Sequence, residues 1–570
     1  MRKSKPLKGA RDAWGLMGLA AGAAAATPWF AGDWRSVAAG GAAALLGGLV
    51  LAHPRARDRL DPVDPQAREG FVLPSDARYP GTGPLVGYTA DRGAPVRIPY
   101  ALFVRHLMLV GASGVGKTTL GLWLIWQQIC QGGGVLFIDA KLDVDTLDTM
   151  AYFMRAIGRE NDFYVLNVND PDHSHTYNPI LSGDADEVAS RLLNLLPSSE
   201  NDPGADHYRQ SANHALTVIV GALKAARFRY HFTDLTILLQ SADAMEWMLR
   251  QVPEGPERMA LSVFLDKYRR RERGGGDRPP RAALDVNKMK DTLGGMAGRL
   301  ALFAQGKFGE VFNTYAPQID LSSIVTNNKV IYVMLPTMAK DTASINLGKM
   351  ILSDLRTATA RVQAMPKTKR PWPPYLVFAD EMGSYTMPGI ARLFEQARSA
   401  NIAMIPAFQA FGNLREVSRE FADILVQNTW SKALFRFGSN DSAEAAAEII
   451  GKIVRYRHSV SRSESASASA QFIQAAPQSS ESAAGNLGES WSETEDYRVS
   501  PDKLAGLGMG QCVLTIGPRT YHLNIPRITT PVDDDPERPV FEPPAYPTRV
   551  PDGERGIDLE SRVDEFLMGG

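Results

Sequence analysis

The chain has 570 residues, with 62 Lys/Arg against 63 Asp/Glu for a formal net charge of −1, and 44% of its residues are hydrophobic. At about 150 residues per domain this length is a prior for about four domains, and the composition excludes a disordered chain, a collagen-like fibre and a disulfide scaffold. Cys130 and Cys512 alone cannot build a four-thiolate zinc site, and the near-neutral charge gives no global sign of nucleic-acid binding.

At the N-terminus, Ala13–Gly32 is a run of 20 uncharged residues, and Ser36–Pro54 is a second. Each is about long enough to cross a ~30 Å hydrocarbon core. Trp14, Trp29, Phe30 and Trp34 stand near the ends, where aromatic rings favour the interface. Arg2, Lys3, Lys5, Lys8 and Arg11 precede the first run, and Arg55, Arg57 and Arg59 follow the second. Residues 1–60 therefore predict a two-helix transmembrane hairpin with both ends in the cytoplasm. The rival reading is a cleaved signal peptide, against which the second apolar run counts.

Residues 61–100, rich in Pro, Gly and Asp/Arg, read as a linker. Short apolar runs then predict strands at Leu107–Val110, Val135–Asp139, Phe163–Val168, Val330–Leu335, Leu376–Asp380, Ile402–Phe408 and Ala433–Phe437, as in a parallel sheet buried on both faces. Between residues 185 and 312 helical spacing replaces them, in Glu187–Leu196, Ala212–Ala226 and Met259–Tyr268. The pattern is an α/β nucleotide-binding domain in two parts, 61–184 and 313–530, around an all-α insert. Ser459–Glu495 reads as a flexible Ser-rich loop, and 531–570, with seven prolines and a net charge of −7, as a disordered acidic tail.

Gly111-Ala112-Ser113-Gly114-Val115-Gly116-Lys117-Thr118 fits G-x-x-x-x-G-K-[ST] at every position, between an apolar strand and the helix-compatible run Thr119–Cys130. Glycines let backbone amides wrap the phosphates of ATP, and the helix N-terminus favours their charge. Lys117 is placed to reach the β- and γ-phosphates and Thr118 to offer its hydroxyl to Mg²⁺. Hydrolysis also needs an acid for the metal and a group for the attacking water; Asp380 and Glu381, ending an apolar strand, supply both. Asp139 is the rival metal acid, but Ala140 and Lys141 follow it in place of a second acid. Gln409 ends the strand Ile402–Phe408 and is either a group near Asp380 or a strand-end hydrogen bond. Arg398 is either an arginine finger for a neighbouring subunit or an ordinary surface arginine.

These features occur in one order: the two apolar runs, the P-loop, Ile138-Asp139-Ala140-Lys141-Leu142-Asp143, Asp380-Glu381, and Arg398 with Gln409. That order resembles the TraD/TraG-type coupling proteins of conjugative type IV secretion systems, as far as about residue 530. The resemblance implies a RecA-like P-loop ATPase domain with an inserted all-α domain, anchored in the bacterial inner membrane. It implies a homo-hexamer that uses ATP and Mg²⁺ to bring relaxase-bound single-stranded DNA to the secretion channel. In it Gln409 resembles the family's sensor glutamine and Arg398 its inter-subunit arginine. One departure is that family members often have Pro and Gly where Ala140 and Leu142 stand. Other readings are an FtsK-like double-stranded DNA translocase, a coupling ATPase for proteins alone, and an ATP-binding membrane scaffold that translocates nothing.

Lys267-Tyr268-Arg269-Arg270-Arg271-Glu272-Arg273, with Arg278 and Arg281, is the strongest basic cluster and is either a phosphate-contacting, base-stacking surface or a solvated helix end. His173 and His175 read as a loop or site rim in preference to a metal site. Residues 1–59 carry a net charge of +6, which offsets the acidic tail and leaves 60–530 neutral. Any DNA contact must then come from a local lining.

Overall fold

The computed structural model describes residues 83–196, 203–271, 282–337, 341–469, 480–530, 541–563 and Phe566. The apolar runs of residues 1–60 lie outside the described residues, among which no helix is long and apolar enough to cross a membrane.

The described chain begins with a hairpin of β1 (Leu85–Thr89) and β2 (Pro95–Arg97), in a stretch expected to be linker. The correction has a physical cause: Leu85, Val86 and Ile98 are fully buried, but strands of three to five residues between prolines and glycines show no alternation to read. β3 (Leu107–Val110) leads through the glycine loop into α1 (Lys117–Cys130), and β4 (Val135–Asp139) leads into α2 (Val144–Ile157). α2 starts where Asp143 caps the amides of Asp145 and Thr146, and stops at left-handed Gly158. β5 (Phe163–Asn167) follows.

The insert is mainly helical. It runs through α3 (Ala185–Leu193), α4 (Pro203–Ala225), a short β6 (Phe228–Arg229), α5 (Phe232–Gln240), α6 (Ala242–Gln251) and α7 (Pro256–Asp266). The pair β7 (Arg269–Arg271) and β8 (Ala282–Leu284) comes next, then α8 (Val286–Ala304) and α9 (Gly306–Phe312). α8 packs on α5, where Phe232 meets Phe303 at 5.2 Å between ring centres. Tyr268 is 6% exposed and packs edge-on against Phe264, so it is a core residue of the insert and not a platform for a base. The basic cluster beyond Arg271 lies outside the described residues as far as Arg281.

The second part of the sheet consists of β9 (Val330–Met334), β10 (Tyr375–Ala379), β11 (Ile402–Phe408) and β12 (Ser431–Leu434), with α10 (Asp341–Ala364) between β9 and β10. On α10, Asp354 forms a buried ion pair with Arg191 of α3 at 3.0 Å and accepts from Tyr177 Oη at 2.7 Å, joining the insert to the sheet layer. β13 (Lys452–Ser469) and β14 (Ser480–Tyr497) pair antiparallel from Lys452↔Tyr497 to Ser469↔Ser480, where a flexible loop was expected. A backbone ladder needs no apolar side chains, which is why Ser/Ala composition hid it. β15 (Gln511–Ile516) and β16 (Arg519–Asn524) close the domain as a hairpin.

Eleven strands form one sheet in the order β2-β1-β16-β15-β12-β3-β11-β10-β4-β9-β5. From β12 to β5 all neighbours are parallel; β15, β16, β1 and β2 extend it antiparallel. Trp123 and Trp126 of α1 cover one face above Phe137 and Phe378. The acidic tail, expected to be disordered, is a third departure. Its described part packs on the body: Tyr546 stacks on Tyr164 at 4.2 Å, and buried His175 donates from Nε2 to Pro544 O at 2.8 Å. β17 (Arg555–Gly556) then pairs parallel with β6. Prolines and acids suit an extended segment that docks through its backbone, so composition alone did not separate docking from disorder.

Candidate active site

Strands β3, β11, β10 and β4 end side by side, so the residues after them converge on one sheet edge, where open α/β sheets hold ligands. After Val110 the chain winds through Gly111–Gly116. Gly114 and Gly116 have φ of 75° and 110°, a region L side chains avoid. A Cβ on Gly111 would stand 2.5 Å from Cβ of Phe435, so that position needs glycine for closeness too. Val115 is buried and its carbonyl accepts from Gly510 N at 3.0 Å, while Ser113 and Gly114 are exposed at the loop's crest. No side chain caps α1 and no acid stands in its first turn, which contains Thr118 and Thr119. The amides there form an anion-favouring helix end.

Lys117 curls back over the loop, its Nζ donating to Gly111 O at 2.7 Å and Ala112 O at 2.8 Å. Burial lowers its pKa, partly offset by the Asp380 carboxylate. Thr118 Oγ1 donates to Asp380 Oδ2 at 2.9 Å, which joins two elements 262 residues apart. Asp380 is fully buried. Glu381 follows with φ 48° and ψ 40°, a left-handed conformation that is costly for a non-glycine residue and typical of functional sites. Gln409 Nε2 donates to Glu381 Oε1 at 2.8 Å, so the residue ending β11 meets the acid beyond β10. A cleft of about 190 Å³ opens beside this pair, lined by Glu381, Ser384, Gln409, Asn413 and Glu416 among others.

Lys141 was not picked out from the sequence as a site residue. Its Nζ stands 3.0 Å from Asp380 Oδ2 and 3.5 Å from Glu381 Oε1, bridging the acids. Burial alone would lower its pKa, but the carboxylates of Asp380, Glu381 and Asp139 outweigh it and raise it. The turn that delivers Lys141 is built by Asp139, which accepts from the amides of Lys141 and Asp143, each at 2.9 Å, and from Tyr332 Oη at 2.8 Å. Burial pushes the Asp139 pKa up. Leu142 has φ 60°, the conformation glycine adopts without strain. The departure from the family pattern there changes the residue and keeps a glycine-like backbone. The available signal for Lys141 was its place two residues after a strand-end acid.

Arg398 does not join these groups within the chain. It is exposed on the short turn Ala397–Ala400 that leads into β11, near His106 just ahead of β3. Arg398 and Gln409 thus flank β11 at opposite ends, and only Gln409 reaches the P-loop edge.

Residues 374–499 match the family described as "TraM recognition site of TraD and TraG". Type 4 coupling protein DotL of Legionella pneumophila is 24% identical over 371 residues, covering 57% of this chain and 46% of that protein. The chain therefore spans about half the length of this curated relative. Among solved structures, plasmid coupling protein TrwB with a non-hydrolysable GTP analogue has a TM-score of 0.50 at 13% identity, covering 82% of this chain and 95% of that one. TrwB with a non-hydrolysable ATP analogue has a TM-score of 0.50 at 14% identity, covering 84% and 94%. These likenesses show the fold, a RecA-like P-loop architecture with a large parallel sheet. In motif order, in the match over residues 374–499 and in fold, the chain is similar to the type IV coupling proteins.

Proposed function

We propose that the chain is an ATP-hydrolysing coupling protein of a conjugative secretion system, anchored in the inner membrane by residues 1–60. In this reading it assembles as a homo-hexamer, recruits relaxase-bound single-stranded DNA and moves it to the secretion channel. The observation that carries the reading is the joining of Thr118 to Asp380 with Glu381 held by Gln409. A protein that only binds nucleotide has no need for a second acid held in a strained backbone at that edge. The match to the TraM recognition region supports relaxosome contact through the second part of the nucleotide domain.

The residues fit Mg²⁺-ATP. The Thr118 hydroxyl and Asp380 carboxylate are adjacent hard oxygen donors, and Lys141 already places positive charge at the same carboxylate oxygen. Thr118 and Asp380 would hold the metal, which when bound neutralises charge on the phosphates. The amides of Gly111–Thr119 cradle the phosphate chain, and Lys117 leaves its carbonyl partners to pair with the terminal phosphates. Glu381 orients the attacking water and accepts its proton at a carboxylate oxygen, while Gln409 fixes the Glu381 side chain. Arg398 of a neighbouring subunit stabilises the transferring phosphoryl group.

The test is ATP hydrolysis by the full chain in detergent or nanodiscs, with and without single-stranded DNA. Glu381→Gln is expected to lower turnover by about 100-fold or more while retaining nucleotide binding, and Lys117→Ala to weaken binding itself. Hydrolysis indifferent to DNA in a demonstrated ring would favour delivery of proteins alone. No hydrolysis under any condition would favour the scaffold.

A further inference from the structure

The segment Glu554-Arg555-Gly556-Ile557-Asp558-Leu559 lies in a groove of the insert, away from the nucleotide site. Its backbone adds to β6: Arg555 N donates to Arg227 O at 3.2 Å and Ile557 N to Arg229 O at 2.9 Å. Asp558 N donates to Tyr315 Oη at 2.9 Å, and Leu559 N to Oδ1 of buried Asp234 at 3.1 Å. Alternate side chains anchor it, Ile557 3% exposed and Leu559 fully buried. Glu554 pairs with Arg229 at 2.8 Å, and the Arg555 guanidinium lies 4.8 Å from the Phe228 ring centre. Gly556 crosses the Tyr315 ring so closely that a Cβ would stand 2.6 Å from it. Backbone addition, two alternating apolar anchors, one required glycine and one charge match are the marks of peptide recognition by strand addition.

The groove continues past the segment as a cavity of about 400 Å³, with Lys224, Arg227, Arg229 and Arg361 in its wall together with Asp320 and Asp354, beside Pro551 and Glu554. Asp354 is already paired with Arg191 and Asp320 accepts from the amides of Ser322 and Ser323, so the four wall cations are in excess and suit a more acidic ligand than Glu554 alone provides. The docked contact is small: two anchors, a half-exposed ion pair and a few backbone bonds, set against the ordering of an extended chain. A tether holds such a contact closed by supplying an effective concentration on the order of millimolar. A contact of that kind is displaceable.

We propose that this groove is a receptor site for an extended acidic segment of another protein, with a glycine and two alternating aliphatic anchors, and that the chain's own tail fills it as a tethered stand-in. The proposal does not rest on the motor reading, since no residue of the nucleotide site takes part. The experiment uses the full chain and a fluorescein-labelled peptide of residues 549–563. In the double variant Ile557→Asp/Leu559→Asp the tail is released, and the peptide should bind at least tenfold more tightly than to the wild-type chain. Gly556→Val in the full chain releases the tail by a different clash and must give the same gain, which guards against misfolding of the first variant; both should keep the wild-type affinity for ATP. A peptide carrying Gly556→Val should fail to bind. Arg229→Glu in the released chain should lose binding at least fivefold and regain it with a peptide carrying Glu554→Arg. Equal binding by wild-type and released chains, or by the Gly556→Val peptide, overturns the proposal. So does equal competition by a single-stranded oligonucleotide, which would assign the groove to nucleic acid.

Discussion

Lys141 stands where two carboxylates would otherwise face each other. Asp380 is almost wholly withdrawn from water, Glu381 is the next residue, and both reach one ammonium within 3.5 Å. Removing one partner from a buried charge cluster leaves the rest uncompensated. Lys141 itself is 37% exposed, so solvent moderates the loss. Lys141→Met is expected to destabilise the protein by about 1–3 kcal/mol in EDTA. Because Mg²⁺ would bring charge to the same Asp380 oxygen, millimolar Mg²⁺ should narrow that gap. Urea unfolding of wild type and variant, with EDTA and with Mg²⁺, reads both numbers. An equal loss in the two conditions would mean that ammonium and metal do not share the carboxylate.

At the scale of elements, the geometry of the site depends on how closely α1 lies on β10. Thr118 rides on the first turn of α1 and Asp380 follows β10, so their 2.9 Å bond reports the seating of the helix. Gly121, one turn further along, is the point of closest approach. A Cβ there would stand 2.4 Å from Cζ of the buried Phe378 ring. Gly121→Val should lift the helix, costing about 1–3 kcal/mol for overpacking. ATP affinity should fall with it, since the Thr118–Asp380 contact opens; calorimetric titration with ATP checks this, and unchanged affinity would show the helix free to slide.

The P-loop was legible because a single backbone conformation demands glycine, lysine and threonine within eight consecutive residues. Asp380 and Glu381 were legible as acids ending an apolar strand, but their distance to Thr118 came only from the sheet order, which brings β10 within one strand of β3. Lys141 reaches the site through a turn organised by hydrogen bonds to Asp139, and such bonds leave no periodic trace. β1, β2 and β16 were hidden because short antiparallel edge strands follow tertiary pairing more than local pattern. The docked tail was hidden for a related reason: Ile557 and Leu559 are two anchors among prolines and acids, too few to register as an element.

In the molecule as a whole, Arg398 and Glu381 lie on opposite edges of one sheet. β11 separates Arg398 from Gln409 by seven residues, roughly 20 Å at ~3.3 Å per residue. If Arg398 acts in hydrolysis, it must act on another subunit's nucleotide, across a head-to-tail interface that closes into a ring. Subunits carrying Arg398→Ala keep their own P-loop but cannot serve a neighbour, and those carrying Lys117→Ala have the opposite defect. Each variant alone should be nearly inactive, the arginine variant by about 10³-fold or more. Mixed one to one before assembly, roughly one interface in four unites an intact P-loop with an intact arginine. Hydrolysis should then recover to about a quarter of the wild-type rate. Failure to recover in mixed rings, with assembly verified by sedimentation, would place Arg398 outside the chemistry and return it to the surface of its own subunit.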